Sequence, residues 1–108
     1  MEQSTFVKTF GDYPLIRVLD FLIESRMFDY PLTEIAKNAE VNFATLKKIW
    51  KQLEKNVIVI QTRKIGKAKL YKLDEENPAV QKLIELDRAL SKHAIREELR
   101  RQKSLVTV

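Results

Sequence analysis

Hydrophobic residues recur with helical spacing in four segments of this chain and with strand spacing in one. In "GDYPLIRVLDFLIESRMF", Leu15, Val18, Leu19 and Leu22 repeat every three to four residues. Asp12 is a suitable N-cap and Pro14 a suitable first-turn residue, so the spacing predicts a helix over 13–27. Ile16, Ile23 and Met27 widen its apolar stripe beyond what a small core needs. "DYPLTEIAKNA" predicts a short helix capped by Thr33, with Ile35, Ala36 and Ala39 on its inner face. "EVN" breaks the pattern before "FATLKKIWKQLEKN", whose inner stripe is Leu46, Ile49, Trp50 and Leu53. Asn42 is placed to cap that helix and Asn56 to end it in a left-handed conformation. The helical phase of Trp50 puts it in the core rather than on a base.

"VIVIQTRKIGKAKLYKL" then reads as two strands, β-branched at its start and alternating at its end. Tyr71 and Leu73 are expected on one face, Leu70 and Lys72 on the other. Gly66 lies mid-loop, where a positive φ costs least, which sets the hairpin tip near residues 64–68. After the turn "DEENP", Pro78 opens a last helix of about 26 residues, roughly 39 Å long. Val80, Leu83, Ile84, Leu86, Leu90, Ala94 and Ile95 share one side of it, and Asp87 falls within their stripe. Beyond Ile95 the stripe gives way to Glu and Arg, so the last turns should project into water. Residues 1–9 and 104–108 are expected to be loose.

A chain of 108 residues makes one domain with a modest core, and no apolar run is long enough to span a membrane. The start "MEQSTFVKTF" lacks the basic and apolar regions of a signal peptide, so an intracellular, cytoplasmic protein is expected. The absence of cysteine excludes disulfides and thiolate chemistry. His93 is the one histidine; its i,i+4 partner Glu97 reads as a solvated helix pair, and no metal or cofactor is expected. Acidic and lysine residues are plentiful, yet none forms an acid–base pair, an activated nucleophile or a phosphate loop, which argues against an enzyme.

Charge changes the picture more than composition does. The net charge is +5, but residues 1–41 carry four Lys/Arg against seven Asp/Glu, and residues 73–108 carry seven of each. Residues 42–72 carry nine cations and a single acid, Glu54. A solvated lysine surface usually interleaves acids; a concentrated cation field favours a polyanion, nucleic acid before membrane.

Helix, short helix, tight turn, basic helix and basic hairpin follow one another in the order of a winged helix-turn-helix. Ala36 is small where the two short helices would cross, and Val41, Leu46 and Ile49 are apolar where the crossing angle is set. Glu40 stands at the turn position where glycine is usual. The expected fold is therefore mainly α with a small β-hairpin: an N-terminal arm over 1–11, a winged helix-turn-helix over 12–74, and a long C-terminal dimerisation helix within 75–108.

"GDYPLIRVLDFLIE", "LTEIAKNAEVNFATLKKIWKQLEKNVIV" and "TRKIGKAKLYKL" together resemble small archaeal winged-helix regulators of the MarR/ArsR-like group, over roughly residues 6–90. The resemblance implies sequence-specific binding of double-stranded DNA by a homodimer, and hence a transcriptional regulator. In that geometry the helix N-terminus enters the major groove with Asn42, Phe43, Thr45, Lys47, Lys48 and Lys51. Asn42 has two readings, N-cap or adenine contact; Phe43 also has two, thymine-methyl contact or packing on the preceding helix. Arg63, Lys64, Gly66, Lys67 and Lys69 would form the wing, on the backbone or in the minor groove. The surplus apolar surface of the two long helices points to a two-fold interface through Ile16, Ile23, Leu83, Ile84, Leu90 and Ala94; a monomer with the last helix folded back is the alternative. DNA coating without sequence readout, or a protein-contact module, are the competing functions, and nothing in the sequence selects a small-molecule effector.

Overall fold

The computed structural model describes residues 3–106. Helices α1 (Thr5–Phe10), α2 (Pro14–Glu24), α3 (Leu32–Ala39) and α4 (Phe43–Lys55) precede strands β1 (Val59–Ile65) and β2 (Ala68–Leu73), and helix α5 (Pro78–Val106) follows. The fold class matches the sequence reading: mainly helical, one antiparallel hairpin, one long last helix. Helix α5 has 29 residues, roughly 43 Å at 1.5 Å per residue, and the molecule measures 62 × 28 × 22 Å.

The core is a single cluster in which every helix and both strands take part. Val18, Leu22 and Ile23 of α2 meet Ile35, Ala36 and Ala39 of α3 and Leu46, Trp50 and Leu53 of α4. Val59, Tyr71 and Leu73 of the hairpin, Val80 of α5 and Phe6 of α1 complete it. The apolar stripes of α3 and α4 fall where their periodicity places them. Trp50 is 2% exposed, and its Nε1 finds no hydrogen-bond partner among the described residues.

Several expectations need correction. Of the expectation for 1–9, residues 4–9 are not loose: Ser4 caps α1 by accepting from the Val7 amide, and Phe6 and Val7 are buried, while 1 and 2 lie outside the described residues. "TFVKTF" is too short to show a period, so its helix left no pattern to read. Helix α2 ends at Glu24, and Tyr13, not Asp12, is its N-cap residue, with no side-chain cap bond. Pro31 precedes α3, and Thr33 lies inside it. Of the C-terminal expectation for 104–108, residues 104–106 are helical, while 107 and 108 lie outside the described residues.

The two helix ends around α4 are closed by left-handed residues. Glu40 (φ 54°, ψ 48°) ends α3, and the Val41 amide reaches back to the Ala36 carbonyl at 2.9 Å. This is the six-to-one bond of a Schellman end, made without the usual glycine. At the end of α4 the left-handed residue is Val57 (φ 53°), one position beyond the predicted Asn56 (φ −93°). The Ile58 amide donates to the Leu53 carbonyl at 2.9 Å, and Asn77 Nδ2 donates to the Val57 carbonyl at 2.8 Å.

In the hairpin, the register shifts between Gln61 and Arg63, leaving Thr62 as an extra residue on β1. Such a bulge interrupts the alternation of faces. On β2, Tyr71 and Leu73 belong to the core cluster, while Leu70, although buried, does not, in keeping with the expected alternation. Gly66 and Lys67 form the turn, Gly66 with φ 61° and open space around it.

The expected dimer surface is reduced. Ile23 is 1% exposed inside the chain's own core and has no surface to offer a partner. Ile16, Leu83, Ile84 and Leu90 also pack against that core, and α1 lies against both α2 and α5. Met27, Leu15, Leu86 and Ile95, expected on inner stripes, are exposed.

A non-glycine residue in the left-handed region costs about 1–2 kcal/mol, partly offset on replacement by the entropy glycine adds to the unfolded chain. Glu40→Gly should therefore raise the thermal midpoint by about 2–6 °C. A calorimetric midpoint equal to or below that of the unaltered protein would refute strain at this turn.

Candidate nucleic-acid interface

Helix α4 begins at Phe43, and the side chain of Asn42 accepts from the Ala44 amide at 2.8 Å. Of the two readings of Asn42, the cap is therefore present. Phe43 is 43% exposed and is not one of the buried core residues. Lys47, one turn later, places Nζ 5.8 Å from the centre of its ring, within the range of a cation–π contact. Thr45 is partly buried, whereas Lys47, Lys48 and Lys51 are exposed.

The turn before α4 is held by a residue that sequence reasoning passed over. Arg17 of α2 donates through Nε to the Ala39 carbonyl at 3.0 Å and through Nη2 to the Glu40 carbonyl at 3.2 Å. Its Nη1 pairs with Asp12 Oδ1 at 2.9 Å. A guanidinium on the last carbonyls of a helix satisfies orphan acceptors and meets the negative end of the helix dipole. Asp12, expected as an N-cap, instead orients this arginine.

The hairpin stands on α4 through Tyr71, whose ring lies edge-on to Trp50 with centroids 5.3 Å apart. Tyr30 pairs with Tyr71 by two backbone hydrogen bonds of 2.9 and 2.8 Å, adding a one-residue third strand. Next to it, Asp29 accepts from Arg63 Nε at 2.9 Å and Nη2 at 3.1 Å, and from the Thr62 hydroxyl. The hydrogen bonds from Arg63, then Thr62, hold the Asp29 carboxyl down at about 2, and Asp29 in turn raises the Arg63 pKa. Arg63, expected to reach DNA from the wing, is engaged in a bidentate intramolecular pair. No local spacing could reveal a partner 34 residues away.

Lys64, Lys67 and Lys69 remain exposed at the hairpin's end, and none of them, nor Lys47, Lys48 or Lys51, makes an ion pair among the described residues. Lys64 stands directly opposite Lys69 in the ladder. Like charges in that position oppose strand pairing. Lys67 and Lys69 also line an open cleft of about 270 Å³ with Thr33 and Tyr71, beside the start of α3. Lys72, by contrast, pairs with Glu75 at 3.6 Å.

The chain superposes on MepR, the transcription regulator of the Staphylococcus aureus multidrug efflux pump MepA, with TM-score 0.62 and 17% identity over 87% of this chain and 73% of MepR. A MepR variant bound to an oligodeoxyribonucleotide shows the same likeness, with TM-score 0.64 and 15% identity over 95% and 80% of the two chains. The chain has a winged helix-turn-helix fold. It is also similar to AntR, an antimony-specific transcriptional repressor, with TM-score 0.58 and 22% identity over 85% and 78% of the two chains. NadR, solved in complex with 4-hydroxyphenylacetate, gives TM-score 0.58 and 22% identity over 94% and 74%. No protein-family model and no curated protein matches the sequence. At these identities the likeness establishes the fold; it includes a Staphylococcus aureus protein, and the archaeal part of the resemblance has no support.

A second charged cluster of the winged helix lies where α2 meets α5. Carboxylate oxygens of Asp20, Glu24 and Asp87 come within 4.8 Å of one another, and the Ser4 hydroxyl donates to Asp20 at 2.8 Å. Asp20 and Glu24 also line a polar cavity of about 420 Å³ with Asp12, Arg17 and Asn38. Three carboxylates are a donor set for a hard cation. Desolvation first, then the neighbouring carboxylates, raises the pKa of Glu24 and of Asp87, while Arg26 lowers both. The i,i+4 spacing of Asp20 and Glu24 was visible in the sequence; the approach of Asp87 was not.

A carboxyl whose folded pKa is raised stabilises the fold in its protonated form, fully below the ordinary value of 3.8, and loses that stabilisation as pH rises through the folded value. Asp87→Asn should raise the thermal midpoint at pH 7 by about 1–4 °C, the scale of one relieved like-charge contact. The gain should vanish below pH 3.8. A midpoint that falls at pH 7 would contradict mutual repulsion in this cluster.

Proposed function

We propose that this winged helix binds double-stranded DNA sequence-specifically as a homodimer in the cytoplasm and regulates transcription. The observation that carries this reading is the set of exposed lysines without acidic partners, Lys47, Lys48 and Lys51 on α4 and Lys64, Lys67 and Lys69 on the hairpin. Lys64 facing Lys69 is a cost to the isolated hairpin that a line of phosphates would turn into a gain. Helix α4 enters the major groove, with Thr45, Lys47, Lys48 and Lys51 toward the bases and the near backbone. The wing lies on the phosphates through Lys64, Lys67 and Lys69, with Gly66 allowing close approach, and the cleft beside Thr33 seats the backbone next to α3. Arg63 acts by pinning the wing to Asp29 rather than by entering the minor groove.

Residues 12–74 carry DNA binding in this reading, and α5 supplies the dimer contact. Along the projecting half of α5, Ile95 is 60% and Leu99 53% exposed, one helical turn apart, with Ala94 beside them. A two-fold through this segment would set the two reading helices about 34–36 Å apart, one turn of DNA. Coating without sequence readout is the competing function; it requires random duplex to compete as well as any selected site.

In titrations at moderate salt, Lys48→Ala or Thr45→Ala should weaken binding to a selected duplex more than to random duplex. Lys67→Ala should weaken both alike and reduce the log–log salt slope by about one. Equal losses for all three variants would exclude base reading by α4. Ile95→Glu combined with Leu99→Glu should yield monomers by light scattering with the helical circular dichroism retained, and an unchanged dimer mass would place the interface elsewhere.

A further inference from the structure

Phe43 is the first residue of α4 and leads the helix that carries the basic face. The side chain ahead of it, Asn42, has its carbonyl oxygen committed to the Ala44 amide, so the residue best suited to read adenine is held back at the cap. Phe43 itself is 43% exposed and is not one of the buried core residues, so a large part of its ring is open to a partner. Lys47 rests over one face of the ring, Nζ 5.8 Å from its centre, keeping the ring alongside the helix. A partly exposed aromatic ring thus stands at the leading end of a cationic helix. The apolar feature that base edges offer in the major groove is the C5 methyl of thymine.

We propose that Phe43 is a specificity-determining residue that reads the C5 methyl group of a thymine in the major groove. The inference rests on the DNA reading proposed above and deepens it by naming a base and the atom recognised. Cytosine lacks that methyl group, and the purines present polar atoms at the same depth, so the ring favours thymine by contact and disfavours the others by leaving their polar edges facing hydrocarbon.

The test uses the full-length protein and the duplex most enriched by in vitro selection from a random-centre library. Each thymine of one half-site is replaced in turn by deoxyuridine, which removes the C5 methyl and keeps the base pair. One position should lose about fourfold in affinity, the scale of one buried methyl group. Phe43→Ala should bind thymine and uracil equally at that position, while keeping the losses seen for base-pair changes elsewhere. Phe43→Leu, which retains an apolar contact, should keep part of the discrimination. Unaltered thermal melting of both variants, expected for so exposed a side chain, shows that the comparison is made on folded protein. Uracil replacements that are all neutral in a site still bound selectively would overturn the thymine reading and leave the DNA proposal standing. A uracil penalty that survives unchanged in Phe43→Ala would assign the methyl to another residue. Failure to enrich any sequence would refute the DNA reading and this inference with it.

Discussion

Trp50 lies edge-on against Tyr71, and this contact joins the helix that carries the leading basic residues to the strand that carries the wing. Tyr71 in turn exchanges two backbone hydrogen bonds with Tyr30, so the loop between α2 and α3 is tied to the same point. Three elements that present charge to solvent thus share one buried junction. A basic surface can match the spacing of phosphates only if its parts keep fixed distances, and close-packed aromatic contacts resist displacement in a way that exposed lysines cannot.

Around that junction the charges are sorted by what they do. Arg17 and Arg63 spend their guanidinium groups inside the molecule, on the carbonyls that end α3 and on Asp29. Both are planar multi-donor groups suited to fixed geometry. The cations left free of ion pairs on α4 and the wing tip are lysines, whose flexible ammonium groups suit phosphates of variable position. Most acids lie away from this block in sequence, and Asp20, Glu24 and Asp87 are crowded together where α2 meets α5.

The order of α2 to α5 and the hairpin was legible because the helical period survives over eight or more residues, and the hairpin carries β-branched residues and a tip glycine. Trp50 could be placed in the core on phase alone, against its chemical suitability for stacking on bases. Asn42 as a cap and Glu40 as a strained turn were also visible, since both are local. Helix α1 was not: six residues hold too little of a period, and only its packing against α2 and α5 gives it a stable face. Ile23, read as dimer surface, is buried in the chain's own core. Thr62 as a bulge residue depended on how two strands slide against each other, which alternation within one strand does not encode.

The sequence by itself determined the order of the elements after α1, the core faces of α3 and α4, and the block of positive charge, because each depends on residues near one another in the chain. The tertiary structure alone decided which cations remain free, since Arg63 meets Asp29 across 34 residues and Arg17 meets Ala39 across 22. It also decided that Phe43 stays partly exposed with Lys47 over its ring. Pairing and exposure are properties of distance in space. Loop closure brings such partners together at a free-energy cost that grows only slowly with separation, so sequence distance carries almost no information about them.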